Sequence, residues 1–259
     1  MHKLDHIVLA ANTLEEGTSY IENKLRIKLS NIGYHKDMGT HNRVVKISKS
    51  VYLEVISIDP NCEQIKSKRW FNLDSSKLQS QLRKSPRVVG YVIENKTKKI
   101  LKYYEPFFKA SRGEYKWKFA MPCNNSKISA DQSYQNGIIP SLINWESEKP
   151  INKMQDNHLN LEKLEILSTE NQSPYKNFIR SLGAIEKLTF TIIKQRNSSM
   201  EIYPRLKINI EDKIRDNNKT CGTVVLELKQ KIQYLNDSDS DLSTSDSEAN
   251  SNVSDRNRS

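Results

Sequence analysis

Residues 4–25 read LDHIVLAANTLEEGTSYIENKL, residues 38–48 read MGTHNRVVKIS and residues 51–59 read VYLEVISID. The first seven residues form a short apolar strand, with His6 the only titratable side chain after Asp5. Asn12 or Thr13 then caps a helix, and Glu15 and Glu16 sit in its first turn, where the helix dipole favours acids. Leu14, Tyr20 or Ile21, and Leu25 recur at helical spacing. Residues 31–39 read as a loop punctuated by Gly33 and Gly39. From His41 a strand runs through Val44 and Val45, Lys49 and Ser50 make a turn, and residues 51–58 return as the hairpin partner. The expected product is one βαβββ unit with a histidine on its first strand and a glutamate on its last.

Alternation along the last strand places Tyr52 and Glu54 on one face and Leu53 and Val55 on the other. A glutamate among apolar neighbours has two readings. It is either an exposed carboxylate on a solvent face, or a buried group held by a partner or a metal, since an unpaired buried charge is costly.

Outward from this unit, residues 60–87 are polar and helical in pattern, as in SKLQSQLRKS (76–85), and Pro86 ends them. A second unit follows: VVGYVIE (88–94) as a strand, TKKILKYYEPFFKA (97–110) as a helix broken near Pro106, then EYKWKFAMP (114–122) and IIPSLINWE (138–146) as strands. In a third, LNLEKLEIL (159–167) precedes a helix over 173–183 with Ser173 as cap, Pro174 at its first position and Gly183 as its stop. AIEKLTFTII (184–193), SMEIYPRLKINI (199–210) and TVVLELK (223–229) are its closing strands. The repeated order of strand, helix and strands reads as duplicated units. They divide the chain into a first unit (1–59), a helical connector (60–87), a divergent second unit (88–150), a third unit (151–231) and an acidic Ser-rich tail (232–259) expected to be disordered.

At 259 residues the chain can bury a sizeable core. Its hydrophobic fraction of 36% is low, partly because residues 236–259 are almost devoid of apolar side chains. That tail carries −4, so the net charge of +10 leaves +14 on the rest. Such a balance raises nucleic-acid binding as a reading, but the lysines are scattered singly and no zinc-finger or RRM signature accompanies them. A nucleic-acid partner is therefore not expected. Cys62, Cys123 and Cys221 form no CxxC pair, which argues against a structural zinc site or a disulfide framework. The N-terminal apolar run is too short for a secretory segment and no stretch reaches membrane-spanning length, so a cytoplasmic location is the expectation.

LDHIVLAANTLEEG, MGTHN followed by YLEVI, ASRGEYKWKFAMP and GIIPSLINWE together resemble the glyoxalase-like family of the vicinal oxygen chelate superfamily, over most of residues 3–230. The resemblance implies an α+β fold whose repeated βαβββ units form a curved mixed sheet around a cleft. It further implies a metal site with one ligand from the first strand and one glutamate from the last strand of each of two units. His6 and Glu54 match the first pair, and His41 is the third candidate ligand. Superposing the third unit places Lys163 opposite His6 and Glu227 opposite Glu54, and in the middle unit Gly90 stands where a ligand belongs. An ammonium has no free lone pair, so Lys163 is no ligand. Imidazole and carboxylate suit Zn, Mn, Fe or Ni, with Glu227 as a catalytic base and Asn42, Arg43, Arg112, Trp117 and Trp145 as substrate contacts.

Each residue also has a purely structural reading: His6 as a hydrogen-bonded core histidine, His41 as a loop anchor, Trp117 and Trp145 as core aromatics. His35 and His2 read as a loop residue and a residue of a flexible start. Where the family runs from its last strand to a His-Pro pair, this chain has Lys149-Pro150. The implied function is a small-molecule protein of glyoxalase-like type, as a divalent-metal-dependent lyase, isomerase or dioxygenase. The alternative is a non-catalytic binding or sequestration protein that has lost the metal. A homodimer is a further expectation. Which units pair around the cleft is left open.

Overall fold

The computed structural model describes residues 2–62, 65, 68–96, 104–123, 139–168, 178, 182–183, 185–192, 202–211 and 221–227. Its centre is β1 (Lys3–Ala10), buried on both faces beyond its first residue. The helix α1 (Leu14–Leu25) follows, and the Thr13 side chain accepts from the Glu16 amide at 3.1 Å. Leu14, Gly17, Ile21 and Leu25 are its buried stripe. The chain continues through β2 (Gly33–His35), β3 (Thr40–Lys46) and β4 (Tyr52–Ile58), and β4 returns to lie parallel beside β1. A 3-10 turn (Trp70–Asn72) and α2 (Ser76–Leu82) lead to β5 (Arg87–Glu94), which pairs antiparallel with the other edge of β1. β6 (Phe108–Arg112), β7 (Tyr115–Ala120) and β8 (Ser141–Trp145) complete an eight-stranded sheet of order β2-β3-β4-β1-β5-β8-β7-β6.

This order repeats one plan twice. In each half the first strand is central, its parallel neighbour is the last strand, and the remaining two step outward to the edge. The sheet curves until its edges β2 and β6 approach one another. At that seam a Cβ on Gly33 would come within 2.5 Å of Arg112 Cδ, so only a glycine admits the arginine there.

A second sheet holds β9 (Leu159–Ser168), β10 (Leu188–Ile192), β11 (Ile202–Glu211) and β12 (Cys221–Glu227), in the order β10-β9-β11-β12. Its first strand is flanked on both sides by strands of its own segment, β10 and β11, whereas β1 and β5 each have one such neighbour, so its strand order differs from that of the other two segments. One core unites α1, the outer face of the large sheet and this second sheet, through residues such as Leu53, Val55, Leu164, Ile166 and Leu206. Leu161 donates its amide to the Ile47 carbonyl, and Lys187 Nζ bonds Ser48 Oγ at 3.2 Å and the Leu161 carbonyl at 2.7 Å. A second core lies on the inner face, where Trp70, Leu73, Leu78 and Leu82 cover Val8, Ile56, Val92 and Ile143.

Three local expectations are corrected. Among the described residues, the helix expected over 60–87 is reduced to Ser76–Leu82, capped by Ser75, and the short 3-10 turn before it. The loop over 31–39 contains β2, paired with the start of β3. Residues 108–110, expected to end a helix, are strand: they pair with β7 across a hairpin whose turn is Gly113 at φ +58°, and pairing with β7 overrides local preference. The start of that helix (97–103), nearly all of the helix over 173–183 and the acidic tail lie outside the described residues. Among the described residues no helix is long and apolar enough to cross a membrane.

Candidate functional site: a half-polar cleft

The inner face of the large sheet lines a cavity of about 400 Å³, part of which is open to solvent. His6, Tyr52, Glu54 and Asn42 stand on it because strand register puts them on one face: Val8 is opposite Glu54 and Val44 is opposite Glu54. Asp5 joins them for a different reason. Between Leu4 and His6 the β1–β5 register slips, and Asp5 is the extra residue of a bulge. A bulge re-aims a side chain that alternation would send away.

The polar groups form one connected chain. Asp5 Oδ1 accepts from His6 Nδ1 at 2.7 Å, and Asp5 Oδ2 accepts from Trp145 Nε1 at 2.9 Å. The His6 ring stacks on Tyr52 at 4.6 Å. Its Nε2 lies 3.5 Å from Glu54 Oε2, too long for a good hydrogen bond. Glu54 Oε1 accepts from Asn42 Nδ2 at 2.5 Å, and Asn42 Oδ1 accepts from Arg112 Nη1 at 2.7 Å. Lys149 bonds Glu94 at 2.9 Å and stands 4.0 Å from Asp5, so its ammonium balances the buried carboxylate from one side. Burial, reinforced by the Asp5 and Glu54 carboxylates, raises the Tyr52 hydroxyl pKa well above its usual value, so it stays protonated. Burial, helped by the Arg112 charge, lowers His35 to about 3. Its imidazole is therefore neutral near pH 7, with Nδ1 3.2 Å from Thr40 Oγ1.

The opposite wall is aromatic. Trp117 meets Trp145 at 5.5 Å, and Trp70 and Phe71 pack against Phe119 at 5.5 Å and 6.0 Å. Phe71 and Asn72 both have left-handed φ, 53° and 56°, which costs about 1 kcal/mol or more each. That backbone drops Phe71 over Gly90, where a Cβ would sit 3.2 Å from its ring.

Polar and aromatic walls are symmetry mates. The two-fold that exchanges the pairs His6–Val92 and Gly90–Val8 carries His6 onto Gly90 and the bulged Asp5 onto Val89, the extra residue of a second bulge. Register in the parallel pairs, Val8 with Glu54 and Val92 with Ser141, carries Glu54 onto Ser141. The antiparallel pairs carry Asn42 onto Phe119. Each of these four polar groups of the first half, Asp5, His6, Asn42 and Glu54, thus meets a small or apolar counterpart in the second.

This geometry tests the metal implied by the family. His6 Nε2 and Glu54 Oε2 converge, but their symmetry mates, Gly90 and Ser141, supply neither imidazole nor carboxylate. Among the described residues no three His, Cys, Asp or Glu side chains are grouped to hold a metal ion. The residues present do not fit the superfamily's metal set.

Of the residues singled out in the sequence, the structure brings His6, Asn42, Glu54, Arg112, Trp117 and Trp145 to one cavity. It does not bring His41 or Arg43 there. Both lie on the other face of β3, one residue out of phase with Asn42: His41 Nε2 bonds Ser57 Oγ at 2.6 Å and Arg43 bonds the Ser30 carbonyl at 2.7 Å. Glu227 ends β12 in the second sheet, in register with Arg205, and Lys163 pairs with Glu165 at 2.8 Å in the same sheet. Asp5, His35, Tyr52, Trp70 and Phe71 were not among the candidates. Tyr52 shares the alternation of Glu54 and was legible in principle, whereas a bulge and a tertiary cover leave no local signal.

The family model described as glyoxalase-like domain matches residues 4–180. No curated protein sequence matches. A hypothetical protein from Staphylococcus aureus shares the fold with a TM-score of 0.53 at 16% identity, over 78% of this chain and 81% of that one. Methylmalonyl-CoA epimerase from Streptomyces coelicolor, solved with 2-nitronate-propionyl-CoA, aligns with a TM-score of 0.38 at 13% identity, over 57% of this chain and 97% of its own. A hypothetical protein from Bacillus halodurans aligns with a TM-score of 0.37 at 13% identity, over 57% and 96%. With two thirds of its length matched by one family model and a paired βαβββ sheet around a cleft, this chain belongs to the glyoxalase-like domain family.

Proposed function

We propose that this chain binds a small organic ligand with a flat apolar body and an anionic end, and does so without a metal. The observation that carries this reading is the divided cavity, polar on the first half-site and aromatic on the second. Arg112 is the cation on its lining, and a guanidinium suits a planar carboxylate. Trp117 and Phe119 offer faces for a ring or conjugated body. Trp70 Nε1 is buried with no partner among the described residues, a loss of about 1–3 kcal/mol that an acceptor on the ligand would recover. The long contact between His6 Nε2 and Glu54 Oε2 leaves both atoms available to a ligand. With Asp5 orienting the imidazole, the pair is arranged to move a proton between neighbouring ligand atoms. A cytoplasmic location and a homodimer belong to the same proposal.

A second reading, a divalent-metal-dependent lyase, isomerase or dioxygenase, is favoured by the convergence of His6 and Glu54 alone. One experiment separates the two. Elemental analysis of the purified chain, with His6→Ala and Glu54→Ala variants, is combined with tryptophan fluorescence titrations of benzoate and phenylpyruvate. Metal-free protein that responds to the acids, and loses the response in Arg112→Leu, supports binding. About one divalent metal per chain, absent from both variants, would replace it with the metal enzyme.

A further inference from the structure

The cavity does not end at Arg112. Arg112 and Tyr115 also form part of the wall of a second, wider space, a groove of about 1700 Å³ outside the β2–β6 seam. The arginine spans the two spaces because Gly33 has no side chain to obstruct it. Four lysines, Lys28, Lys36, Lys46 and Lys153, line the groove with Arg112. Among the described residues its one acidic lining group is Glu114, which Lys153 already binds at 2.9 Å. Lys28 is engaged by Glu22 at 2.7 Å. The side-chain ammonium groups of Lys36 and Lys46 have no hydrogen bond or ion pair among the described residues, and their charge is free for a ligand. Tyr34, 49% exposed, adds an aromatic face on the same rim.

We infer that the ligand has two parts: the flat organic acid occupies the cavity, and an arm bearing a di- or polyphosphate lies in the lysine-lined groove, with Arg112 between them. This rests on the small-molecule reading above. With Lys28 and Lys153 paired to Glu22 and Glu114, the groove keeps three cations without a carboxylate partner among the described residues, Lys36, Lys46 and Arg112. That excess favours an anion of more than one charge, such as a di- or polyphosphate, over a single carboxylate. The exposed ring of Tyr34 suits a nucleobase attached to that phosphate.

The test uses the full chain, with pyrophosphate and ADP as groove probes and benzoate as the cavity probe, titrated by calorimetry at low and high salt. Pyrophosphate and ADP are expected to bind with strong salt dependence. The Lys36→Glu, Lys46→Glu double substitution should weaken both about tenfold or more while benzoate is unchanged. Arg112→Leu should weaken all three. Absence of pyrophosphate and ADP binding, or binding untouched by the double substitution, overturns the two-part ligand even if benzoate binds. Failure of benzoate alone removes the cavity reading and leaves the groove standing. Tighter binding of a mixed single-stranded oligonucleotide than of ADP also overturns the inference, in favour of a nucleic-acid surface. Should the charge reversals fail to fold by circular dichroism, Lys36→Gln with Lys46→Gln takes their place.

Discussion

His35 shows how a single buried ring can tie this fold to pH. Its folded pKa of about 3 lies below the usual 6.5 because burial disfavours the imidazolium. A base with a depressed folded pKa takes up a proton in the unfolded chain first. Stability is therefore complete above about pH 6.5 and falls by about 1.4 kcal/mol per unit as pH drops toward 3. Urea unfolding between about pH 5 and pH 7 should show this slope, with most of it removed in His35→Asn. An equal slope in both proteins would refute the assignment. His2, also lowered by burial, accounts for a residual. His35 was unreadable in the sequence, because the β2 strand that buries it lies within an apparent loop and Trp70, its edge-on neighbour at 4.8 Å, comes from another part of the chain. His41 failed differently. It looked like a ligand beside Asn42, but adjacent strand residues point to opposite faces, and only register with Glu54 decides which of the two enters the cavity.

Among the elements, α1 was the most legible, since its cap, first-turn acids and apolar spacing agree. What no spacing reveals is how closely it lies on the sheet. A Cβ on Gly17 would come within 2.6 Å of Ala11 Cβ and 2.7 Å of Val55 Cγ1. Gly17→Ala gains about 1 kcal/mol of helix propensity. Both obstructing atoms are buried and neither is the far end of a flexible chain, so the overpacking cost of about 1–3 kcal/mol wins. Chemical denaturation should show a net loss, and a stabilised variant would mean that the helix can lift without penalty. The segment over 70–82 was legible only as polar helix. Its function as the cover of the cavity depends on Arg69, which clasps Asp74 at 2.6 Å and the Gly39 carbonyl at 3.2 Å, and on the left-handed turn at Phe71, neither of which has a local signature.

At the scale of the whole molecule, the paired units were readable from the repeated element order, and their partnership was not. Pairing β1 with β5 is a choice among distant strands, made by burial on both faces and by matching bulges. The two-fold it creates makes a strong prediction. Restoring the missing half-site with Gly90→His and Ser141→Glu, and clearing the space with Phe71→Ala, should give a chain that takes up about one zinc or nickel ion more than the parent does. The readout is metal content after dialysis. A folded triple variant that takes up no more metal than the parent would show that the two halves are not related as their registers imply.

The meeting of β2 and β6 has one more consequence. An edge strand with unpaired amides is a template on which another chain can add. Here the two edges of the large sheet turn toward one another, β2 is only three residues long, and an arginine lies across the seam. A sheet of eight strands thereby withdraws its own sticky margins, and protection from aggregation comes from the same curvature that hollows out the cleft.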